Sequence, residues 1–461
     1  FEGDQMPLIK LNELELISLD ENNSVLINLM NGNADIVNAA VALAIRSGCF
    51  DGLDIDTLDL LIERGYVFDS EHARDKFVER IDKRLAWEST REIPNFIVVP
   101  TYSCNLDCYY CFERASISRG IRLNKEIELD VERFFSFVAK VLSEFENGYG
   151  DFDMSKVLVT ITGGEPLQDF TFRTIEKLLI GCRNRGFRVS FVTNALAVPE
   201  YLHLLSDYVS VIDDMQITLD GAQREHDSIR VAIDGKPTFN RIVHSIELLS
   251  CLDLNLQVRI NVTRRNVGTL TEIGPLIQKF DRVLFYVYLM QQEGRCQSEN
   301  VLDELEGIKA LDRLKDENGD LDNLLVEYHG RKLIESIFSG KKFHPKIKTC
   351  TAMCNQFIYD QFGYVYKCWW AMGNRSRAVG FDDDNGIAWN KKLLSYYRDR
   401  SVLKMDACRV CRYRYVCGGG CTGRLTLYDM RKGSVSCPDF HSILDYEVHR
   451  HCASRSDEGC C

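Results

Sequence analysis

An α/β chain built on a partial (β/α)6 TIM-like barrel is predicted by three observations: six short apolar runs, helical patterns between them, and polar or glycine residues gathered where the runs end. The runs are NFIVVPT (95–101), VLVTITGG (157–164), RVSFVTNA (188–195), DMQITLDG (214–221), LQVRINVT (256–263) and RVLFYVYLM (282–290). TFRTIEKLLIGCRNRG and FNRIVHSIELLSCL exemplify the helical segments between them. Regular alternation of strand and helix implies right-handed crossovers and a parallel sheet. Strands in such a sheet are expected to be buried on both faces. The carboxyl ends of barrel strands carry the chemistry, so the cysteines of TYSCNLDCYYC (101–111), GGEP (163–166), TNA (193–195) and TLDG (218–221) should share one mouth.

The flanks read differently. LELISLDENNSVLINLMNG (14–32) is two alternating strands around a polar turn. NADIVNAAVALAI (33–45) reads as helix, and DTLDLLIERGYVF (56–68) as a helix leading into a strand. Residues 298–345 have charged, heptad-like spacing and read as a solvated helical bridge. FDDDNG (381–386) reads as a turn, and the tail HCASRSDEGCC (451–461) as a disordered end carrying Cys452, Cys460 and Cys461. The expected domains are 1–92, 93–297, 298–345 and 346–461.

Composition narrows the class. A chain of 461 residues suggests roughly two to four domains, and 45% hydrophobic with 27% charged residues suits packed cores. A formal charge of −12 argues against a nucleic-acid surface, which needs a basic stripe. No apolar run has the length of a membrane span. The opening FEGDQMPLIK has no basic region followed by an apolar core, so no secretory signal is read and a cytoplasmic location is expected. A peptide or small molecule is the better partner.

Eighteen cysteines dominate the composition. In a long chain without an export signal, clustered spacing points to metal. Cys182 falls on the apolar face of a helix with Phe172, Ile175, Leu178 and Leu179 and reads as core; Cys49 and Cys251 are given the same reading. Cys296 sits in a loop with no role read for it. Cys104, Cys108 and Cys111 offer three sulfurs to one centre. A structural zinc site wants four ligands, whereas soft thiolates also suit iron–sulfur clusters, and a cubane held by three leaves one iron free.

CxxxCxxC at the end of a first barrel strand resembles the signature of radical S-adenosylmethionine enzymes. The resemblance implies that Cys104, Cys108 and Cys111 hold a [4Fe-4S] cluster whose free iron chelates S-adenosylmethionine, which is cleaved to a 5′-deoxyadenosyl radical. It extends to Gly163, Gly164, Glu165 and Pro166, matching the motif that contacts the cofactor's amino group, where Glu165 can accept from an ammonium. Tyr110 falls at the aromatic position flanking the adenine. Thr193 and Asn194 match a TNG region in which this chain has Ala195. TLDGAQREHDSIR is similar to the family's SLDG…HD..R, which makes Thr218, Asp220 and Arg230 candidates for ribose and carboxylate contacts; as a bare residue Arg230 also reads as a surface ion pair.

The later cysteines resemble the SPASM extension of that family. The resemblance implies two auxiliary [4Fe-4S] clusters, one on Cys350, Cys354, Cys368 and Cys421, the other on Cys408, Cys411, Cys417 and Cys437, making three in all. By spacing alone CRVCRYRYVCGGGC also reads as a zinc knot. Sulfatase-maturing members have an Asp after the cysteine corresponding to Cys368; this chain has Trp369 and Trp370, which either line a pocket or shield a cluster. No general base is named. The first ninety residues look like the winged-helix-like recognition element of peptide-modifying members, where a leader peptide adds as an extra strand. The implied function is a peptide maturase: hydrogen abstraction from a ribosomally made precursor, then a carbon–carbon or thioether crosslink, with a flavodoxin or ferredoxin as reductant. The rivals are maturation of a larger protein, of quinohemoprotein or sulfatase type, and a non-enzymatic iron–sulfur carrier.

Overall fold

The computed structural model describes residues 8–117, 125, 127–290, 300–383, 386–426, 429–430 and 432–456. Two compact units emerge. One comprises residues 1–92, 329–354 and 398–461; the other comprises 93–328 and 355–397.

The first unit opens with β1 (Ile9–Lys10), β2 (Leu14–Ser18), β3 (Asn23–Asn28) and β4 (Ala34–Asn38), and β5 (Val67–Phe68) pairs antiparallel with β1. β2, β3 and β4 form an antiparallel sheet. The β2–β3 turn closes because the Asp20 carboxylate accepts from the backbone N–H groups of Asn22 and Asn23 at 2.7 and 2.8 Å. The segment predicted as helix from residue 33 starts as β4. Helix begins only at Ala39, where Asn38 caps it by accepting from Val41 N–H at 3.0 Å. Capped helices Ile55–Glu63 and Glu71–Thr90 follow, the second unforeseen.

β3 is buried on both faces by different partners. Leu26 packs with Leu61, Tyr66, Val402, Met405 and Tyr415. Ile17, Val25 and Ile27 pack with Leu333, Phe343, Val416, Phe440 and Leu444. The first 92 residues group with 329–354 and 398–461 because distant segments supply part of the apolar cover for their sheet. Two buried acids reinforce this joint. Glu13 pairs with Arg414 at 2.8 Å, and Glu15 accepts from the Tyr413 hydroxyl and meets His441 at 3.1 Å. Cys452, expected in a disordered tail, lies in helix Phe440–Ser456 and packs against the apolar group around Leu333, Phe440 and Leu444; Cys460 and Cys461 lie outside the described residues.

The second unit contains the six predicted strands: β6 (Asn95–Val99), β7 (Leu158–Ile161), β8 (Arg188–Thr193), β9 (Ile212–Thr218), β10 (Asn255–Val262) and β11 (Leu284–Leu289), each parallel to its neighbour in chain order. β12 (Leu325–Glu327) extends the sheet beside β11, and β13 (Gln356–Asp360) runs parallel to β6 at the other side. β14 (Tyr364–Tyr366), β15 (Gly380–Asp383) and β16 (Gly386–Trp389) continue it antiparallel. The mostly parallel eleven-stranded sheet is consistent with a partial barrel.

Several expectations change here. The bridge is not merely solvated: its helix Glu304–Glu317 buries Ile308 and Leu311, and β12 joins the sheet. In FDDDNG, Asp382 is buried in β15, accepting from Tyr359 OH at 2.9 Å and pairing with Arg133 at 3.3 Å. Burial of β7 to β11 alternates instead of covering both faces. Val159, Phe191, Ile217, Val258 and Val287 are fully buried, while Gln216, Arg259, Tyr286 and Tyr288 are half-buried. Tyr286 donates to Gln216 at 2.6 Å and Arg259 stacks on Tyr288 at 3.9 Å, so these polar groups share one face. A sheet curved into an incomplete barrel leaves its concave face less filled than its helix-covered face. Cys182 is fully buried as expected, its thiol pushed up to about 12 by burial. Cys49 and Cys251 are exposed at helix ends instead of in the core.

Candidate radical SAM site

The predicted motifs at the ends of β6 to β9 meet in the second unit. The loop after β6 carries Cys104, Cys108 and Cys111, and the chain straps it down from two sides. Asp107 N–H donates to Val231 O at 2.8 Å and Ile233 N–H to Asn105 O at 3.0 Å. From the other side Gly164 N–H donates to Thr101 O at 3.0 Å and Glu165 N–H to Ser103 O at 2.9 Å. These bonds explain the two glycines. A Cβ on Gly164 would lie 2.6 Å from the Ser103 carbonyl carbon and nearer still to two carbonyl oxygens; Gly163 has φ +139° and would meet Thr101 and Val99 in the same way. Gln168, which sequence reasoning passed over, donates to both Ser103 O and Glu165 O at 2.9 Å.

Glu165 is nearly inaccessible. Its carboxyl accepts from Leu167 N–H at 3.0 Å, Thr193 Oγ1 at 2.5 Å and Asn194 N–H at 2.6 Å. Burial pushes its pKa up to about 7 against the lowering effect of those donors. Thr193 and Asn194 thus hold Glu165, and the Asn194 side chain donates to Asn105 in the cysteine loop at 2.6 Å. Ala195 has φ 64°, the sole positive φ outside glycine among the described residues; a glycine there would be unstrained. The Pro166 carbonyl accepts from Thr171 Oγ1 at 2.6 Å.

A second buried network surrounds Tyr110. Its hydroxyl donates to Asp220, and accepts from Arg230 Nη1 at 2.7 Å and Asn261 Nδ2 at 3.2 Å. Asp220 is wholly buried and lies 3.6 Å from Arg230. Burial works against the Arg230 charge, but Tyr110, Cys108 and Asp220 hold its pKa well above the ordinary value. Arg230 is therefore no surface ion pair. Asp220 N–H donates to His226 Nδ1 at 3.0 Å, and burial, then Arg230, holds that imidazole neutral. His226 and Asn261 were missed as site residues; His226 stood inside the quoted TLDGAQREHDSIR, and Asn261 is a polar interruption of an apolar strand. Thr218 is buried at the end of β9, opposite Arg259.

Two observations test whether these residues fit a cluster and its sulfonium ligand. The Cys104 thiol is pushed well up by burial and by Cys108, Glu165 and Cys111, so the soft donors are close enough to resist ionising without a cation among them. Arg230 Nε is a buried donor with no partner among the described residues, which suits a carboxylate-bearing ligand. The residues fit the group.

Of the later cysteines, Cys408, Cys411, Cys417 and Cys437 all belong to the first unit. The Cys408 thiol is pushed up to about 11 by burial and then by Cys417, Cys437 and Cys411. Cys350, Cys354 and Cys421 belong to that unit and Cys368 to the other. Trp370 lies 5.4 Å from the ring of Phe112, directly after Cys111; Trp369 is half-buried. Cys296 lies outside the described residues.

Comparison with known proteins agrees with the geometry. Residues 98–264 match the radical SAM superfamily. The chain is 24% identical over 354 residues to an AdoMet-dependent heme synthase of Methanosarcina barkeri, covering 73% of this chain and 90% of the relative. It is 22% identical over 385 residues to the radical SAM cyclopropyl synthase TigE of Paramaledivibacter caminithermalis, covering 80% and 77%. Among solved structures, anSMEcpe with bound AdoMet superposes with TM-score 0.56 at 21% identity over 78% of this chain and 98% of that one. Streptococcus suis SuiB bound to precursor peptide SuiA gives 0.50 at 17% over 90% and 96%. With the three-cysteine loop, GGEP and the Arg230 network assembled at the strand ends of an α/β sheet, residues 98–264 of this chain form a radical SAM domain.

Proposed function

We propose that the chain is a SPASM-type peptide maturase that installs an intrapeptide crosslink, carbon–carbon or thioether, in a ribosomally made precursor. The observation that carries the reading is the pairing of a three-thiol loop clamped to GGEP with a separate four-thiol set on Cys408, Cys411, Cys417 and Cys437. A maturase needs both: one centre to start radical chemistry and an auxiliary centre to take the surplus electron.

When bound, a reduced [4Fe-4S] cluster with S-adenosylmethionine supplies a one-electron route to hydrogen abstraction from an unactivated carbon. The chain's own residues hold and shield. Cys104, Cys108 and Cys111 would hold the iron. Glu165, aimed by Thr193 and Asn194, would accept from the ammonium; Arg230 Nε would donate to the carboxylate. Tyr110, fixed by Asp220 and Asn261, would wall the adenine, with Thr218 toward the ribose. Trp370 against Phe112 excludes water beside the loop.

The N-terminal sheet supports a peptide as substrate. β4 pairs only with β3 among the described residues, so its other edge can accept a strand. Ile36 on β4, Leu43, Ile55 and Leu60 are large apolar side chains left exposed nearby in the sequence. A leader adding beside β4 would gain main-chain hydrogen bonds and cover such groups. SuiB, which has a similar fold, was solved with its precursor peptide. A flavodoxin or ferredoxin is the proposed reductant.

The test is anaerobic incubation of iron-reconstituted, reduced protein with S-adenosylmethionine and the peptide encoded beside its gene. Formation of 5′-deoxyadenosine together with a peptide two hydrogens lighter is expected. A protein that yields 5′-deoxyadenosine yet leaves every candidate peptide unaltered defeats the peptide reading, and one that yields none defeats the catalytic reading as well.

A further inference from the structure

Arg400 is a buried cation that the proposed chemistry has not used. It is 5% exposed, and among the described residues no carboxylate pairs with it. Its Nη2 donates to Gly419 O at 3.2 Å and Ser434 O at 2.8 Å, clamping the CGGGC loop to the segment that leads into Cys437. Its Nε is buried and has no partner among the described residues. A guanidinium offers five donors and cannot shed its charge, so one buried inside a fold calls for an anion beside it.

The neighbourhood supplies the missing anion once iron is present. The two carbonyls that Arg400 holds flank the thiols: Gly419 lies two residues from both Cys417 and Cys421, and Ser434 lies three residues before Cys437. The loop is shaped around the same point. Gly418, Gly419 and Gly420 have φ of 73°, 95° and 72°. A Cβ on Gly418 would lie 2.7 Å from the backbone at Lys348 and Thr349, so side chains are excluded. Arg400 thus clamps the glycine loop between two thiols to the segment that leads into a third.

We propose that Arg400 is a positioning residue for the cluster on Cys408, Cys411, Cys417 and Cys437, donating through Nε to its sulfurs and raising its reduction potential. The inference rests on the auxiliary-cluster reading above. A fixed positive charge and an N–H donor both favour the more negative, reduced cluster, the means by which surroundings tune such potentials. The auxiliary centre is thereby kept a willing acceptor of the electron left after bond formation.

The experiment uses full-length protein in which Cys104, Cys108 and Cys111 are replaced by alanine, leaving only auxiliary clusters, and reads iron content and an EPR-monitored redox titration. In Arg400→Gln, iron per chain is expected to stay level while one midpoint falls. At the parent midpoint the reduced-to-oxidised ratio should drop about tenfold, equivalent to about 59 mV for one electron. Arg400→Lys, which keeps the charge, should recover most of that shift, a pattern that a mere loop clamp would not produce. Full loading with unmoved midpoints overturns the proposal. Should Arg400→Gln fail to load, pulsed EPR of the reduced parent carrying 15N-arginine decides: a guanidinium nitrogen coupling upholds the contact, and its absence overturns it. If Cys408→Ala with Cys411→Ala leaves iron content unchanged, the cluster reading itself has failed, independently of Arg400.

Discussion

Gly164→Ala probes the joint on which the radical SAM site depends. The new Cβ would lie 2.6 Å from the Ser103 carbonyl carbon, whereas ordinary contact begins at 3.4 Å. The GGEP backbone and the cysteine loop must therefore separate by about 1 Å, since neither side offers a flexible side chain to yield. Two buried bonds span that gap, Gly164 N–H to Thr101 O and Glu165 N–H to Ser103 O. Each contributes about 1 kcal/mol when made and costs about 1–3 kcal/mol when left open. With overpacking strain, the stability loss should be about 3–5 kcal/mol. A 1 Å misplacement of Glu165 from the cluster loop should also cost on the order of 100-fold in turnover. Urea melts of the anaerobic protein and 5′-deoxyadenosine formation read the two effects. Gly148→Ala is the control, because nothing lies within 4 Å of a Cβ there; it should be neutral or slightly stabilising. A Gly164→Ala protein with parental melting, S-adenosylmethionine affinity and 5′-deoxyadenosine yield would refute the argument that close backbone approach selects glycine.

Three further outcomes are expected. Ala195, fully buried at φ 64°, should tolerate Gly within about 1 kcal/mol, while Ala195→Val should cost at least about 2 kcal/mol, because a branched Cβ in the left-handed region adds strain and crowding; denaturant melts in the reverse order would discard the strain argument. Asp360, buried at the end of β13, has its pKa pushed up to about 6 by burial, against hydrogen bonds from Tyr364, Tyr102, Phe362 and Tyr366 that lower it. An acid with a raised folded pKa contributes most below its unfolded pKa and loses that contribution as pH rises through the folded value. The stability difference between the parent and Asp360→Asn should therefore change by about 3 kcal/mol between pH 3 and 7 and be flat above pH 7; a flat difference throughout contradicts it. Glu13→Gln leaves Arg414 buried without its counter-charge, so unit stability should fall by about 3–5 kcal/mol. Because Arg414 sits between Cys411 and Cys417, iron content should fall too, and unchanged iron would separate the N-terminal sheet from cluster loading.

The six barrel strands and the three-cysteine loop were readable from local pattern, since strand periodicity and ligand spacing are encoded within a few residues of one another. The motifs that carry the candidate site residues were readable too, though not the partners those residues find. Tyr110 meets Asp220, Arg230 and Asn261 across more than a hundred residues of chain, and no local signal distinguishes such an arginine from one that faces water. The same limit explains Cys49 and Cys251, whose apolar neighbours in sequence are not their neighbours in space.

Chain order alone dictated the alternating α/β architecture, the strand ends that carry the motifs and the sulfur-rich chemistry of their loops, because each follows from short-range sterics and the donor preferences of thiols. Only folding decided that the first 92 residues share a core with the later cysteine segments, that Glu13 finds Arg414, and that Arg400 is buried against the Gly419 and Ser434 carbonyls. Those outcomes depend on which apolar faces cover one another and which buried charges find partners, and burial is a property of the assembled molecule.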